Sequence, residues 1–318
     1  MSEFKNFLFN KIQKHEPVFF DGGMGTMIQK ISGLSYSIPE DLNFYNPEAI
    51  KAIHKKYILA GSNICTTNTF GANPIKLENA SHSAQEFIEK GIALVKGAIA
   101  ECKKQNENIN CFTAWDSGQI GKLLEPNGPL TFDEAYNSYK AAAIAAEKSG
   151  ADLAIIETMS DLYEVKAAVL AIKENTNLPV ITTMTFQPNC RTLTGADVLT
   201  CVTYLESLHV DVLGFNCGGS LEEDIELANQ FCKYSHIPIL SQPNAGLPEV
   251  INGKDVFKVT PEEFTNAQEK ILDSGVSIFG GCCGTTPDHI KTMAEKLSEK
   301  KQGQEQRQAE QGSEQRSE

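Results

Sequence analysis

No run of eighteen apolar residues occurs in the 318-residue chain, so no membrane-spanning helix is expected. The first stretch, Met1 to Glu16, carries charges and lacks an apolar signal core, so export is not expected either. Positive charge is scarce: 28 Lys and Arg stand against 41 Asp and Glu, a net −13. An acidic body argues against nucleic acid as a partner. CxxC and HExxH are both missing, and no GxGxxG follows the first apolar stretch, which removes the usual dinucleotide fingerprint. Nine cysteines are present, an odd number that does not suit a pure disulfide framework. A cytoplasmic protein with mostly reduced thiols is expected.

What the chain has instead is alternation. Short runs rich in Ile, Val and Leu are followed by stretches with helical spacing, eight times over. The runs are Val18 to Phe20, Asn63 to Thr67, Asn110 to Ala114, Ala151 to Ile156, Pro179 to Thr185, Val210 to Phe215, Ile237 to Ser241 and Val276 to Phe279. Runs that are apolar on both faces suit parallel strands covered by helices. Thr131 and Glu134 have capping-box spacing at the head of one helix. Eight such units predict an α/β fold, a (β/α)8 TIM barrel, over residues 1–298. A doubly wound open sheet is the rival, and it usually has fewer strands. Residues 299–318 are Gln, Glu, Ser, Lys and Arg with almost nothing apolar, and a disordered tail is expected there.

In a TIM barrel the chemistry gathers at the C-terminal ends of the strands. Here those ends carry Asp21, Asn68, Trp115 and Asp116, Glu157, Thr185, Cys217, Asn244, and the pair Cys282-Cys283. Adjacent cysteines rarely bond to each other, because the peptide between them strains the disulfide. The sixth and eighth strands of a closed barrel are separated by one neighbour, so Cys217 and the pair can converge. Three thiolates leave one tetrahedral position open, the pattern of a catalytic zinc site, and soft ligands favour zinc. A redox trio or a merely packed one is the alternative. The other six cysteines read as packing residues.

Zn²⁺ on three thiolates carries a net charge of −1. It would polarise a carbonyl poorly, but it would hold an incoming thiol as an electron-rich thiolate. That chemistry predicts transfer of an alkyl group to a thiol. Asp21 and Glu157 can both face an ammonium group, and the N–H groups of Gly22 and Gly23 can hold a carboxylate. Together they suit an amino-acid substrate.

The motifs DGGMGTMIQ (Asp21 to Gln29), TTNTFGAN (Thr66 to Asn73), IIET (Ile155 to Thr158), GFNCGGS (Gly214 to Ser220), PNAGLP (Pro243 to Pro248) and GGCCGTTPDHI (Gly280 to Ile290) carry a resemblance. The chain resembles the zinc-dependent homocysteine S-methyltransferase family over about residues 17 to 297, and within it the homocysteine-binding module of cobalamin-dependent methionine synthase. The resemblance implies zinc on Cys217, Cys282 and Cys283, with the homocysteine thiolate as fourth ligand. It implies amino-group contacts at Asp21 and Glu157, and Asn244 in the open zinc position when substrate is absent. Asn68 lies in a matching rim motif. Where the betaine-using branch has an aromatic residue this chain has Gly71, which disfavours betaine. PNAGLP favours methylcobalamin as donor, supplied by a separate corrinoid protein and remethylated through a methyltetrahydrofolate-binding one. The alternatives are S-methylmethionine as donor, another thiol as acceptor in a corrinoid system, and a non-catalytic homocysteine-binding subunit.

Overall fold

The structure, a computed structural model, describes residues 2–31, 36, 38–78, 80–251 and 254–314. Eight parallel strands form the barrel: β1 (Val18–Phe19), β2 (Ile64–Thr66), β3 (Phe112–Ser117), β4 (Leu153–Met159), β5 (Val180–Met184), β6 (Val212–Asn216), β7 (Ile239–Gln242) and β10 (Ile278–Phe279). They are ordered β1-β10-β7-β6-β5-β4-β3-β2. A parallel bridge between Phe20 and Ile64 joins the two ends of that order. The Asn63 N–H donates to Phe19 O (2.7 Å) and the Asp21 N–H to Ile64 O (3.1 Å) across the seam. The chain therefore forms the expected (β/α)8 barrel.

Side chains of a strand alternate between its two faces, and two apolar clusters record that alternation. One fills the barrel and includes Val18, Phe20, Ile64, Phe112, Ala114, Leu153, Ile155, Ile181, Val212, Leu240 and Ile278. The larger one lies between strands and helices. Continuing the inward parity upward gives Thr66, Asp116, Glu157, Thr183, Asn216 and Gln242. The barrel interior thus turns from apolar to polar toward the C-terminal ends of its strands.

The helices are α1 (Glu3–Gln13), α2 (Met24–Gln29), α3 (Leu42–Tyr45), α4 (Pro47–Leu59), α5 (Ala84–Gln105), α6 (Phe132–Lys148), α7 (Leu162–Asn175), α8 (Val198–Ser207), α9 (Leu221–Tyr234), α10 (Pro261–Ser274) and α11 (Pro287–Glu314). The expected Thr131–Glu134 capping box starts α6, and another, Ser220–Glu223, starts α9 four residues beyond Cys217.

Three features depart from the sequence reading. The charged stretch at the start forms α1, whose Phe4 and Leu8 sit one turn apart and plug the lower end of the barrel. Phe4 meets the Phe112 ring edge-on at 5.5 Å, and Lys5 Nζ lies 2.6 Å from Asp211 Oδ1. A hairpin of β8 (Glu249–Ile251) and β9 (Lys254–Val256) stands on the rim. Finally, α11 runs through residue 298 to Glu314, where a disordered tail is expected. Gln, Glu, Lys and Arg are good helix formers, and Lys300 Nζ ties the extension to Asp273 Oδ2 of α10 (2.7 Å). Residues 315–318 of that stretch lie outside the described residues. Among the described residues no helix is long and apolar enough to cross a membrane.

Candidate active site

The cysteine centre is built from two turns. Cys217 follows the last residue of β6 with φ +50°, a left-handed conformation that is uncommon for a side chain bearing a Cβ. Its backbone is held on both sides: its N–H donates to Gln242 O (3.3 Å), and its O accepts from Thr185 Oγ1 (2.6 Å). Cys282 and Cys283 follow β10. The Cys282 N–H donates to Pro243 O (2.9 Å), and Cys283 O accepts from the Ala245 N–H (2.8 Å). Gly284, at φ +83° with Phe257 where a Cβ would stand, closes the turn as only glycine can.

The three Sγ atoms lie within 4.8 Å of one another, and among the described residues they are the only such group of possible metal ligands. Cys217 and Cys283 Sγ are 3.9 Å apart. Contacts from Cys217 and Cys282 hold the Cys283 thiol down at about 3. The Cys217 thiol is lowered by Cys282, but Cys283 and burial prevail and push it up to about 12. Cys282 is pushed well up, first by its contacts with Cys217 and Cys283. The protein alone therefore supports one negative charge on three sulfurs. A soft dication would release the remaining thiol protons, so the donor set fits zinc. Asn244, brought beside this turn by the two backbone bonds just given, is buried with Oδ1 unpartnered. It is a buried acceptor on the loop that flanks the cysteine turn.

The carboxylates sit on the neighbouring strand ends. Asp21 is only 2% exposed and accepts from the Thr66 N–H (2.9 Å) and Thr66 Oγ1 (3.1 Å). Burial outweighs these bonds and pushes its carboxyl up to about 8. Glu157 is half-buried. Loss of water, then the charge of Cys283, pushes it up to about 7. The residue after it, Thr158, also has a left-handed φ of +59°.

Two expectations meet a different arrangement. The Gly23 N–H donates to Thr285 Oγ1 (3.0 Å), so it is not turned to a ligand, and Gly22 packs against Thr285 and Tyr57. The Asp21-Gly22-Gly23 turn is instead bolted to the cysteine turn. The Gly281 N–H donates to Asp21 O (3.0 Å), the Gly284 N–H to Thr26 Oγ1 (2.7 Å), and Tyr57 Oη to Gly23 O (3.1 Å). Asn68 donates from Nδ2 to Pro39 O (2.8 Å) and Asn43 Oδ1 (3.0 Å). Those bonds anchor the segment before α4 and leave Oδ1 for anything else.

Sequence reasoning passed over Asn216, although it sits in GFNCGGS beside Cys217 and shares the inward parity of Gly214. Its Oδ1 accepts from the Thr158 N–H (2.9 Å) and Thr183 Oγ1 (2.8 Å). Its Nδ2 reaches Thr158 Oγ1 (2.8 Å), Glu157 Oε2 (3.3 Å) and Cys282 Sγ (3.9 Å). It thereby couples the acidic side of the site to the thiol side. Asn216→Leu keeps the volume and strands two buried donors, each costing ~1–3 kcal/mol. A loss of ~3 kcal/mol in urea unfolding is expected.

A model described as Homocysteine S-methyltransferase matches residues 18–297. Methionine synthase of Mycobacterium leprae (strain TN) is 30% identical over 290 residues, 86% of this chain and 24% of that protein. Methionine synthase of Mycobacterium tuberculosis gives the same identity and coverage. The chain thus spans about a quarter of the length of the curated relatives it matches. The metallated form of the Escherichia coli homocysteine methyltransferase MmuM superposes with a TM-score of 0.77, covering 91% of this chain and 99% of that one at 18% identity, which speaks for the shared fold. With the family model spanning the whole barrel from β1 to α11, this chain belongs to the homocysteine S-methyltransferase family.

Proposed function

We propose that the chain is a zinc-dependent methyltransferase that converts homocysteine to methionine. The observation that carries the reading is the convergence of Cys217, Cys282 and Cys283 within 4.8 Å at a barrel mouth that also holds buried carboxylates. Cys217, Cys282 and Cys283 would hold the zinc. When bound, it would supply the charge that keeps an incoming thiol ionised at neutral pH, while the three cysteines leave that sulfur electron-rich.

The chain's own groups do the rest. Asp21 and Glu157 receive the substrate ammonium and fix the distance from α-carbon to sulfur. Asn216 keeps Glu157 in register with the thiols. Asn244 Oδ1, unpartnered in the free chain, would be available to hold the metal before substrate binds. In the transfer step the homocysteine sulfur gives an electron pair to the methyl carbon, and the donor's bond to that carbon breaks with its pair leaving on the donor. The thiol proton has already departed on binding, so the step needs no general base.

For the donor we favour methylcobalamin presented by another protein or module, with methyltetrahydrofolate upstream of it. PNAGLP supports this, and so does crowding at Gly71. Glu40 Oε1 accepts from the Gly71 N–H and stands 2.9 Å from where a Cβ would be, so the aromatic residue of a betaine cage would have to displace Glu40 there. The test is a donor panel on the zinc-loaded chain with homocysteine: methylcobalamin, S-methylmethionine, betaine, and methyltetrahydrofolate with a corrinoid protein. Methionine is expected from methylcobalamin and not from betaine. No methionine from any donor would refute the activity, and methionine from S-methylmethionine alone would replace the donor.

A further inference from the structure

Asp116 lies on β3, and Phe112 and Ala114 of that strand point into the barrel. Two residues further along, Asp116 shares their direction. It pairs in register with Ile155, one inward step below Glu157. Its backbone is pinned: the N–H donates to Thr67 Oγ1 (3.0 Å), and the O accepts from Thr69 Oγ1 (2.7 Å). The side chain is only 6% exposed, and its Oδ1 has no hydrogen-bond partner.

Burial first, then the charges of Glu157, Asp21 and Glu40, pushes its carboxyl well up. Ionised, it would be a buried and unpaired charge among carboxylates, costly unless a cation joins it. A metal ion is a poor candidate, because no carboxylates among the described residues come within 4.8 Å as a trio. A primary ammonium is a better one. It offers three N–H donors that diverge, and each wants its own acceptor. Asp21 already accepts from Thr66 and Glu157 from Asn216, so each has limited capacity left.

We propose that Asp116 is a third acceptor for the substrate ammonium, beside Asp21 and Glu157, and that it makes the site selective for thiols bearing a free, charged amine. The inference rests on the homocysteine reading above. Three carboxylates around one ammonium would tolerate neither its loss nor its acylation, whereas the thiol end of the site would be indifferent to both.

The test uses the zinc-loaded full chain and titration calorimetry with two thiols. Homocysteine carries the ammonium; 4-mercaptobutyrate has the same thiol and carboxylate without it. Wild-type chain is expected to bind homocysteine at least ~100-fold more tightly, from charge-assisted bonds to several carboxylates. Asp116→Asn is expected to weaken homocysteine ~10-fold or more, to leave 4-mercaptobutyrate within about twofold, and to keep zinc content unchanged. Asp116→Ser, which removes the carboxylate differently, should repeat the selective loss. If both variants weaken the two thiols equally, or leave the preference intact, Asp116 has no such role. A wild-type chain that binds neither thiol overturns the homocysteine reading and this inference with it.

Discussion

Cys217→Ala is expected to abolish zinc binding and methyl transfer together while leaving the barrel folded. The thiol is half-buried, and the backbone that presents it is set by Gln242 O and Thr185 Oγ1, neither of which needs the sulfur. Alanine accepts φ +50° no worse than cysteine does. What is lost is one of three soft ligands. Structural zinc sites are worth about 10–16 kcal/mol over four protein ligands, so one thiolate carries about 2.5–4 kcal/mol, roughly a hundred- to a thousandfold in affinity. With one thiolate fewer, any zinc that stays bound would leave the incoming sulfur less electron-rich, so the rate should fall well below what weakened binding alone would give. Zinc per chain after dialysis and methionine formation are the two measurements, with circular dichroism as the control for folding. A variant that keeps one zinc per chain and the wild-type rate would remove the three-thiol centre from the mechanism.

The thiol centre was readable because its ingredients are local. Each cysteine follows a strand and sits among glycines, and the eightfold alternation fixes which strands are near neighbours. The same alternation placed Asp21, Glu157 and Asn244 on one rim. What it did not reveal is how two turns far apart in sequence share their hydrogen bonds. The Gly23 N–H reads as available until Thr285, 262 residues away, is found to accept it at 3.0 Å. Asn68 reads as a rim group until Asn43 and Pro39 take its amide hydrogens. Asn216 stands inside GFNCGGS and Asp116 at a strand end, but neither setting says which way the side chain points. Only inward parity, counted up each strand from a known apolar layer, does that, and that layer needs exact strand boundaries. The first helix is a similar case: Phe4 and Leu8 show one turn of spacing, too little to reveal that they plug a barrel.

Asp21→Asn is expected to weaken ligand binding and strengthen the fold, with opposite pH signatures that separate the two. Asparagine keeps an oxygen for the Thr66 N–H, so the bond at 2.9 Å survives. In the ligand-free chain Asp21 keeps its proton up to about pH 8, against an ordinary value of 3.8, because it is buried. The unfolded chain loses that proton near pH 4. Between those values the folded state binds more protons, so stability drains away as pH rises from about 4 to about 8 and is level outside that window. Asparagine removes the drain. The variant should gain on the order of 6 kcal/mol at pH 8.5 and almost nothing at pH 4. Binding runs the other way. An ammonium needs ionised partners, and below pH 7 both Asp21 and Glu157, the latter pushed up to about 7, hold protons that must leave. Methionine isolates this effect, because the product carries the ammonium but no thiol proton. For the wild type, the logarithm of its affinity should climb below about pH 7 as Asp21 and Glu157 each release a proton, and less steeply from there to about pH 8 as Asp21 alone of these two does, with the proton released by Asp116 adding to both slopes. In Asp21→Asn each slope should drop by about one, and the plateau should fall ~10–100-fold. A wild-type methionine affinity that is flat from pH 6 to 8.5 would sink the ammonium role of these carboxylates. A variant no more stable at pH 8.5 than at pH 4, relative to wild type, would show that Asp21 is already ionised in the free chain.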